Sequence, residues 1–69
     1  MNFKPIKSSR IKKIAYLDDE DTMVIVFNDD RMYEYYDVPK AVYNELLYSK
    51  SPGTYFGTKI KGIYHYERA

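Results

Sequence analysis

The sequence predicts an α+β domain, a three-stranded antiparallel β-meander followed by one or two short helices packed on one face of the sheet. Three observations carry this. Apolar segments rich in β-branched and aromatic residues fill the first half of the chain and are separated by Asp- and Asn-rich turn clusters. Pro39 then marks a change of period, and behind it apolar residues recur at helical spacing. Finally, 69 residues leave room for a single domain, residues 1–69, in which residues 1–7 form a basic N-terminal arm.

The first strand follows Ser8-Ser9, where Ile11, Ile14, Ala15, Tyr16 and Leu17 lead into the acidic run Asp18-Asp19-Glu20-Asp21. Met23-Val24-Ile25-Val26-Phe27 is too short for a helix and is bounded by turn residues on both sides, so it is the central strand. Asn28-Asp29-Asp30 suits a tight turn, because these residues tolerate positive φ and bond their own backbone. Arg31 to Val38 then resumes with aromatics at alternate positions as the third strand. Pro39 fits the first turn of a helix and cannot serve a central strand. Val42, Tyr43, Leu46 and Leu47 share one side behind it and Lys40, Asn44 and Glu45 the other, an amphipathic helix of about ten residues. Ser49-Lys50-Ser51-Pro52-Gly53 stops it. Tyr55, Phe56, Ile60, Ile63 and Tyr64 imply a second short helix and then a short tail. The helices leave the other face of the sheet open.

Composition narrows the chemistry. There is no cysteine and one histidine, His65, so neither a disulfide nor a Cys/His metal site is available to reinforce a small core. The same shortage argues against a Cys/His or Ser/His/Asp catalytic constellation, and the expectation is a protein that is not an enzyme and needs no cofactor. The acidic run lacks the spaced oxygens and the glycine of a calcium loop and reads as a solvated hairpin tip. Gly53 belongs to no phosphate-loop pattern. The amino terminus has charge but no apolar stretch, and no window approaches the roughly 18 apolar residues of a membrane span, which predicts a cytoplasmic protein with no membrane partner.

Charge is unevenly placed. Residues 1–13 carry +5, residues 17–37 carry −7 and residues 38–69 carry +3, although the whole chain is only +1. Basic ends around an acidic middle present a positive face if the ends meet in space, and otherwise serve solubility alone. Nine tyrosines are a second peculiarity, since a ring with a polar tip suits both a small core and a binding surface.

Taken in order, Ser8-Ser9 with Ile11 and Ile14, Met23-x-Ile25-x-Phe27, Tyr33-x-Tyr35, Val38-Pro39, Tyr43 and Leu46, Ser51-x-Gly53-x-Tyr55-Phe56, Ile60 and Tyr64 resemble the KTSC family over about residues 6 to 66. That family is named for a carboxy-terminal extension of some lysyl-tRNA synthetases and also occurs as small stand-alone proteins in bacteria and phages. The resemblance implies RNA binding without catalysis, and it places Tyr33 and Tyr35 at the family's central Tyr-x-Tyr. Asp29-Asp30 replaces the family's usual Asn-Gly and puts negative charge at the hairpin, against phosphate contacts there.

The candidate nucleic-acid-binding residues are Lys7, Arg10, Lys12, Lys13, Tyr33, Tyr35, Lys59 and Lys61. The cations suit phosphates, with Lys59 and Lys61 extending the patch if the last helix lies beside the first strand. Otherwise the first cations are a solvated basic arm. Ser8 and Ser9 either bond phosphate oxygens or merely start the strand. Exposed tyrosines on a sheet stack unpaired bases, whereas buried ones are core. Register decides: a two-residue loop, Asp29-Asp30, puts Tyr33 and Tyr35 on the face of Val24 and Val26, and a three-residue loop, Asn28 to Asp30, puts them with Met23, Ile25 and Phe27. The partner is RNA or tRNA on this reading. The alternatives are a protein partner, as for a phage-encoded inhibitor of a host or defence protein, bound through a sheet edge or a Tyr-rich patch, and a homo-oligomer.

Overall fold

The computed structural model describes all residues 1–69. The meander is present, but in the middle of a larger sheet. Its strands are Ile11–Leu17 (β2), Thr22–Phe27 (β3) and Met32–Tyr35 (β4); Lys4–Pro5 (β1) pairs outside β2, and Tyr66–Arg68 (β5) pairs outside β4. Five strands, all antiparallel in the order β1-β2-β3-β4-β5, therefore replace the three expected. The arm and the tail supply the additional two. Neither has the alternating apolar residues of a half-buried strand, because an edge of two or three exposed residues buries almost nothing. Pro5 is tolerated there since an edge position leaves its missing N–H unneeded.

Helix α1 is Lys40–Leu47 and α2 is Pro52–Lys59, with Pro52 in the first turn. Both lie on one face. Ile11, Ile14, Met23, Ile25 and Tyr35 from the sheet join Tyr43, Leu46, Phe56 and Ile60 in one buried cluster. Ala15, Val24 and Val26 are also buried but stand outside that cluster, on the face that carries no helix. No helix is long and apolar enough to cross a membrane.

Ile11 and Ile14 are three residues apart, so a regular strand would send them to opposite faces. The structure avoids this with a bulge: Ile11 lies opposite Phe27 and Lys13 opposite Val26, leaving Lys12 as the extra residue. Both isoleucines thus reach the helix side at 0% exposure. Lys12, displaced by the bulge, places its Nζ 2.8 Å from Oδ1 of Asp30.

The β3–β4 loop is the three-residue one. Phe27 N–H donates to the Arg31 carbonyl, and Asp30 adopts φ +68°, the left-handed position that such a loop needs. The acidic β2–β3 loop is exposed and tied to the start of α1, with Lys40 Nζ 2.7 Å from Asp18 Oδ1. Tyr16 supports the same corner, its hydroxyl donating to the Val38 carbonyl at 2.6 Å.

After α2 the chain reverses at Gly62, φ +78°, and enters β5. A Cβ added there meets nothing within 4 Å, so the cost of a side chain is purely conformational. Gly62→Ala is expected to lower stability by about 1 kcal/mol, read as a reduced midpoint in urea with unchanged slope.

Candidate functional site

The register puts Tyr33 opposite Ile25 and Tyr35 opposite Met23, on the helix-covered face. The two tyrosines differ in depth. Tyr35 is 4% exposed and belongs to the core, and burial pushes its phenol up to about 12. Tyr33, nearer the hairpin tip, is only partly buried and packs against the edge of the core.

Five aromatic residues meet here in a closed circuit of ring contacts. Phe27 packs edge-on against Tyr33 (5.5 Å between centroids), Tyr33 against Tyr66 (5.6 Å), Tyr66 against Tyr35 (5.3 Å), Tyr35 against Phe56 (5.7 Å) and Phe56 against Phe27 (5.4 Å). Four of these contacts are edge-to-face, the favoured geometry of aromatic pairs at such separations, and the Tyr35–Tyr66 pair is tilted at 31°. All five line a groove of about 550 Å³. Tyr66 remains 51% exposed, so ring surface is presented to whatever enters.

The rim is largely cationic. Arg10, Arg31 and Lys61 line the groove with one acid, Asp29, alongside Ser9 and Asn28. Asp29 is engaged within its own turn, its Oδ2 3.2 Å from Arg31 Nε and its Oδ1 accepting the Arg31 N–H. Arg10 and Lys61 have no carboxylate partner; the protein's ion pairs use Lys12, Arg31 and Lys40. The Arg10 guanidinium lies over the Phe56 ring at 5.9 Å.

Local bonding explains why Arg10 sits there. Ser8 Oγ accepts the N–H groups of Arg10 and Ile11, closing a turn before β2. Asn28 donates its backbone N–H to the Arg10 carbonyl and its side-chain amide to the Ser8 carbonyl, which ties the hairpin tip to that turn. Gly53 of α2 lies beside the Arg10 stem, where an added Cβ would make only an ordinary contact, 3.5 Å from Arg10 Cδ.

Of the residues singled out from sequence, Arg10, Tyr33, Tyr35 and Lys61 come together around the groove. The others stand apart from it. Lys12 is held by Asp30, and Lys13 points to the helix-free face, its Nζ 4.7 Å from the centre of the Phe3 ring. Lys7 and Lys59 are exposed and line no part of it. His65 stacks on Tyr36 at 5.7 Å, also outside the groove. Sequence reasoning missed Phe27, Arg31, Phe56 and Tyr66. Phe27 and Arg31 follow once the three-residue loop is chosen, whereas Phe56 and Tyr66 are brought in by tertiary packing.

The Lys12 ammonium, by its hydrogen bond, holds the Asp30 carboxyl below its ordinary range. Because the folded value is depressed, the associated stability is present above the unfolded value and is lost as pH falls through the folded one. An NMR titration is expected to show Asp30 ionising at lower pH than in a Lys12→Met variant.

Comparison with known proteins agrees with this architecture. A profile of the KTSC domain matches residues 7–64. The lysine–tRNA ligase of Trichormus variabilis is 37% identical over 62 residues, and that of Nostoc punctiforme 34% over 62. Each alignment covers 90% of this chain, which spans only 11% of the length of those ligases. A protein of Tsukamurella paurometabola is 31% identical over 58 residues, covering 84% of this chain and 87% of that protein. The crystal structure of a KTSC domain protein from Yersinia pestis superposes with a TM-score of 0.94 at 29% identity, covering 99% of this chain and 96% of that one.

Proposed function

The chain belongs to the KTSC domain family, and on that premise we propose that it is a small non-enzymatic module that binds unpaired RNA in the aromatic groove. The observation that carries the proposal is the circuit of five rings opening beside Arg10 and Lys61, two cations without carboxylate partners. Unpaired bases offer π-faces to aromatic side chains, and their phosphates need cations a short distance away. Tyr33 and Tyr66 supply the accessible ring surface; Phe27 packs on Tyr33 and Tyr35 on Tyr66, and Phe56 joins these two supports. Similarity to part of a lysine–tRNA ligase makes tRNA the first RNA to try.

The test is fluorescence anisotropy with single-stranded RNA, duplex RNA and a tRNA, each at low and moderate salt. Single strands and exposed tRNA loops are expected to bind, duplex to bind weakly, and affinity to fall steeply with salt. Tyr33→Ala is expected to weaken binding by about 1–3 kcal/mol, roughly five- to 150-fold. Tyr35→Ala is unsuitable because that ring is core. Absence of binding to all three at low salt would overturn the proposal and redirect attention to a protein partner.

A further inference from the structure

A second depression of about 460 Å³ adjoins the aromatic groove and shares Ser9 and Arg10 with it. Its character is the reverse. The lining contains no aromatic, long aliphatic or acidic side chain; besides Arg10 it consists of hydroxyl residues, Pro52 and two glycines. Ser8 Oγ already accepts two backbone N–H groups, which leaves its own hydrogen to donate outward. Ser9, Ser51 and Thr54 spend no side-chain hydrogen bond inside the protein, while Thr58 is used on the Thr54 carbonyl. Arg10 stands between the two depressions, its stem against Gly53 and its guanidinium over Phe56.

We propose that this depression is a phosphate subsite for the RNA strand whose base occupies the groove, with Arg10 as the shared cation. The proposal rests on the aromatic-groove reading. A guanidinium offers several N–H donors in a fixed fork matched to a phosphate, and hydroxyl hydrogens complete the oxygens. The lack of any carboxylate matters as much, since an anion entering here meets no like charge. The base is held by rings on one side of Arg10, and its neighbouring phosphodiester by hydroxyls on the other.

Gly57 makes the subsite testable without disturbing the groove. It lines only the second depression, and a Cβ added to it meets nothing within 4 Å. Asp is no worse than Gly in a helix, so Gly57→Asp introduces a carboxylate into an intact fold. With fluorescein-labelled octauridylate, Gly57→Asp is expected to bind about tenfold more weakly than wild type, as loss of one charge-assisted contact implies. Its salt slope should fall by about one counterion. Gly57→Ala should bind within about twofold of wild type and Gly57→Lys more tightly.

If Gly57→Asp binds like Gly57→Ala while Tyr33→Ala still weakens binding, the subsite is wrong and the groove reading stands. If Tyr33→Ala is silent, or wild type ignores the probe, the groove reading falls and the subsite with it. Competition separates the phosphate sources: the dinucleotide UpU should displace the probe better than uridine monophosphate or inorganic phosphate. Equal displacement by the last two would assign the depression to a free or terminal phosphate and overturn the strand proposal.

Discussion

Ile25→Ala is expected to remove most of the stability of the domain. Ile25 is fully buried at the middle of β3, between Ile14 on β2 and Tyr33 on β4, in the cluster that both helices cover. Truncating a buried isoleucine costs about 2–5 kcal/mol, because the lost transfer energy is joined by the cavity left behind. A chain of this size holds on the order of 3–10 kcal/mol in total. With no disulfide to limit the unfolded ensemble, the deficit falls directly on the folding equilibrium. Thermal melts followed by circular dichroism should show a fall of roughly 10–25 °C. Val24→Ala is the informative control. Val24 is equally buried but faces away from the helices, and it loses fewer carbons, so its melting point should fall by less than half as much. Equal losses would mean that the helix-free face carries as much of the core as the helix-covered one.

Arg10→Glu carries the largest expected effect on binding. Arg10 is common to both depressions, unpaired, and its backbone is held by Ser8 Oγ, which accepts its N–H, and by the Asn28 N–H, which donates to its carbonyl. Removing its charge-assisted contacts costs about 1.5–3 kcal/mol, and the introduced carboxylate repels the same phosphate. Affinity for octauridylate at low salt should drop by about a hundredfold or more. Lys12→Glu, which alters charge to the same extent but releases Asp30 outside the groove, should drop it far less. If the two reversals act alike, binding follows overall charge and not the groove.

Much of this was legible in the chain, and the illegible parts have physical reasons. The central strand and its two neighbours follow from the β-branched run at 23–27 and the acidic turns around it. Asn28-Asp29-Asp30 is compatible with two loop lengths, and the pairing of Phe27 with Arg31 and of Ile25 with Tyr33 shows which was taken. The spacing of Ile11 and Ile14 was a readable sign of the bulge, since period 2 cannot bury both on one face. β1 and β5 were unreadable because their pairing comes from where the ends of the chain are delivered, not from residues that need cover. In the groove, Arg10, Tyr33 and Lys61 stand out by residue type. Tyr66 becomes meaningful only when β5 lies along β4 and sets it opposite Tyr35.

The two short outer strands bear on how the domain behaves in a crowd. Any open sheet ends in unpaired N–H and C=O groups, and a long flat margin invites copies to anneal into fibrils. Here one margin is two residues long, with a lysine and a proline that has no N–H to offer; the other is three residues long and contains Glu67 and Arg68. Neither gives a neighbouring strand enough hydrogen bonds or apolar cover to settle upon. Colloidal stability is thus written into the same brief segments that close the sheet, which suits a domain found both within much larger enzymes and as most of a small protein.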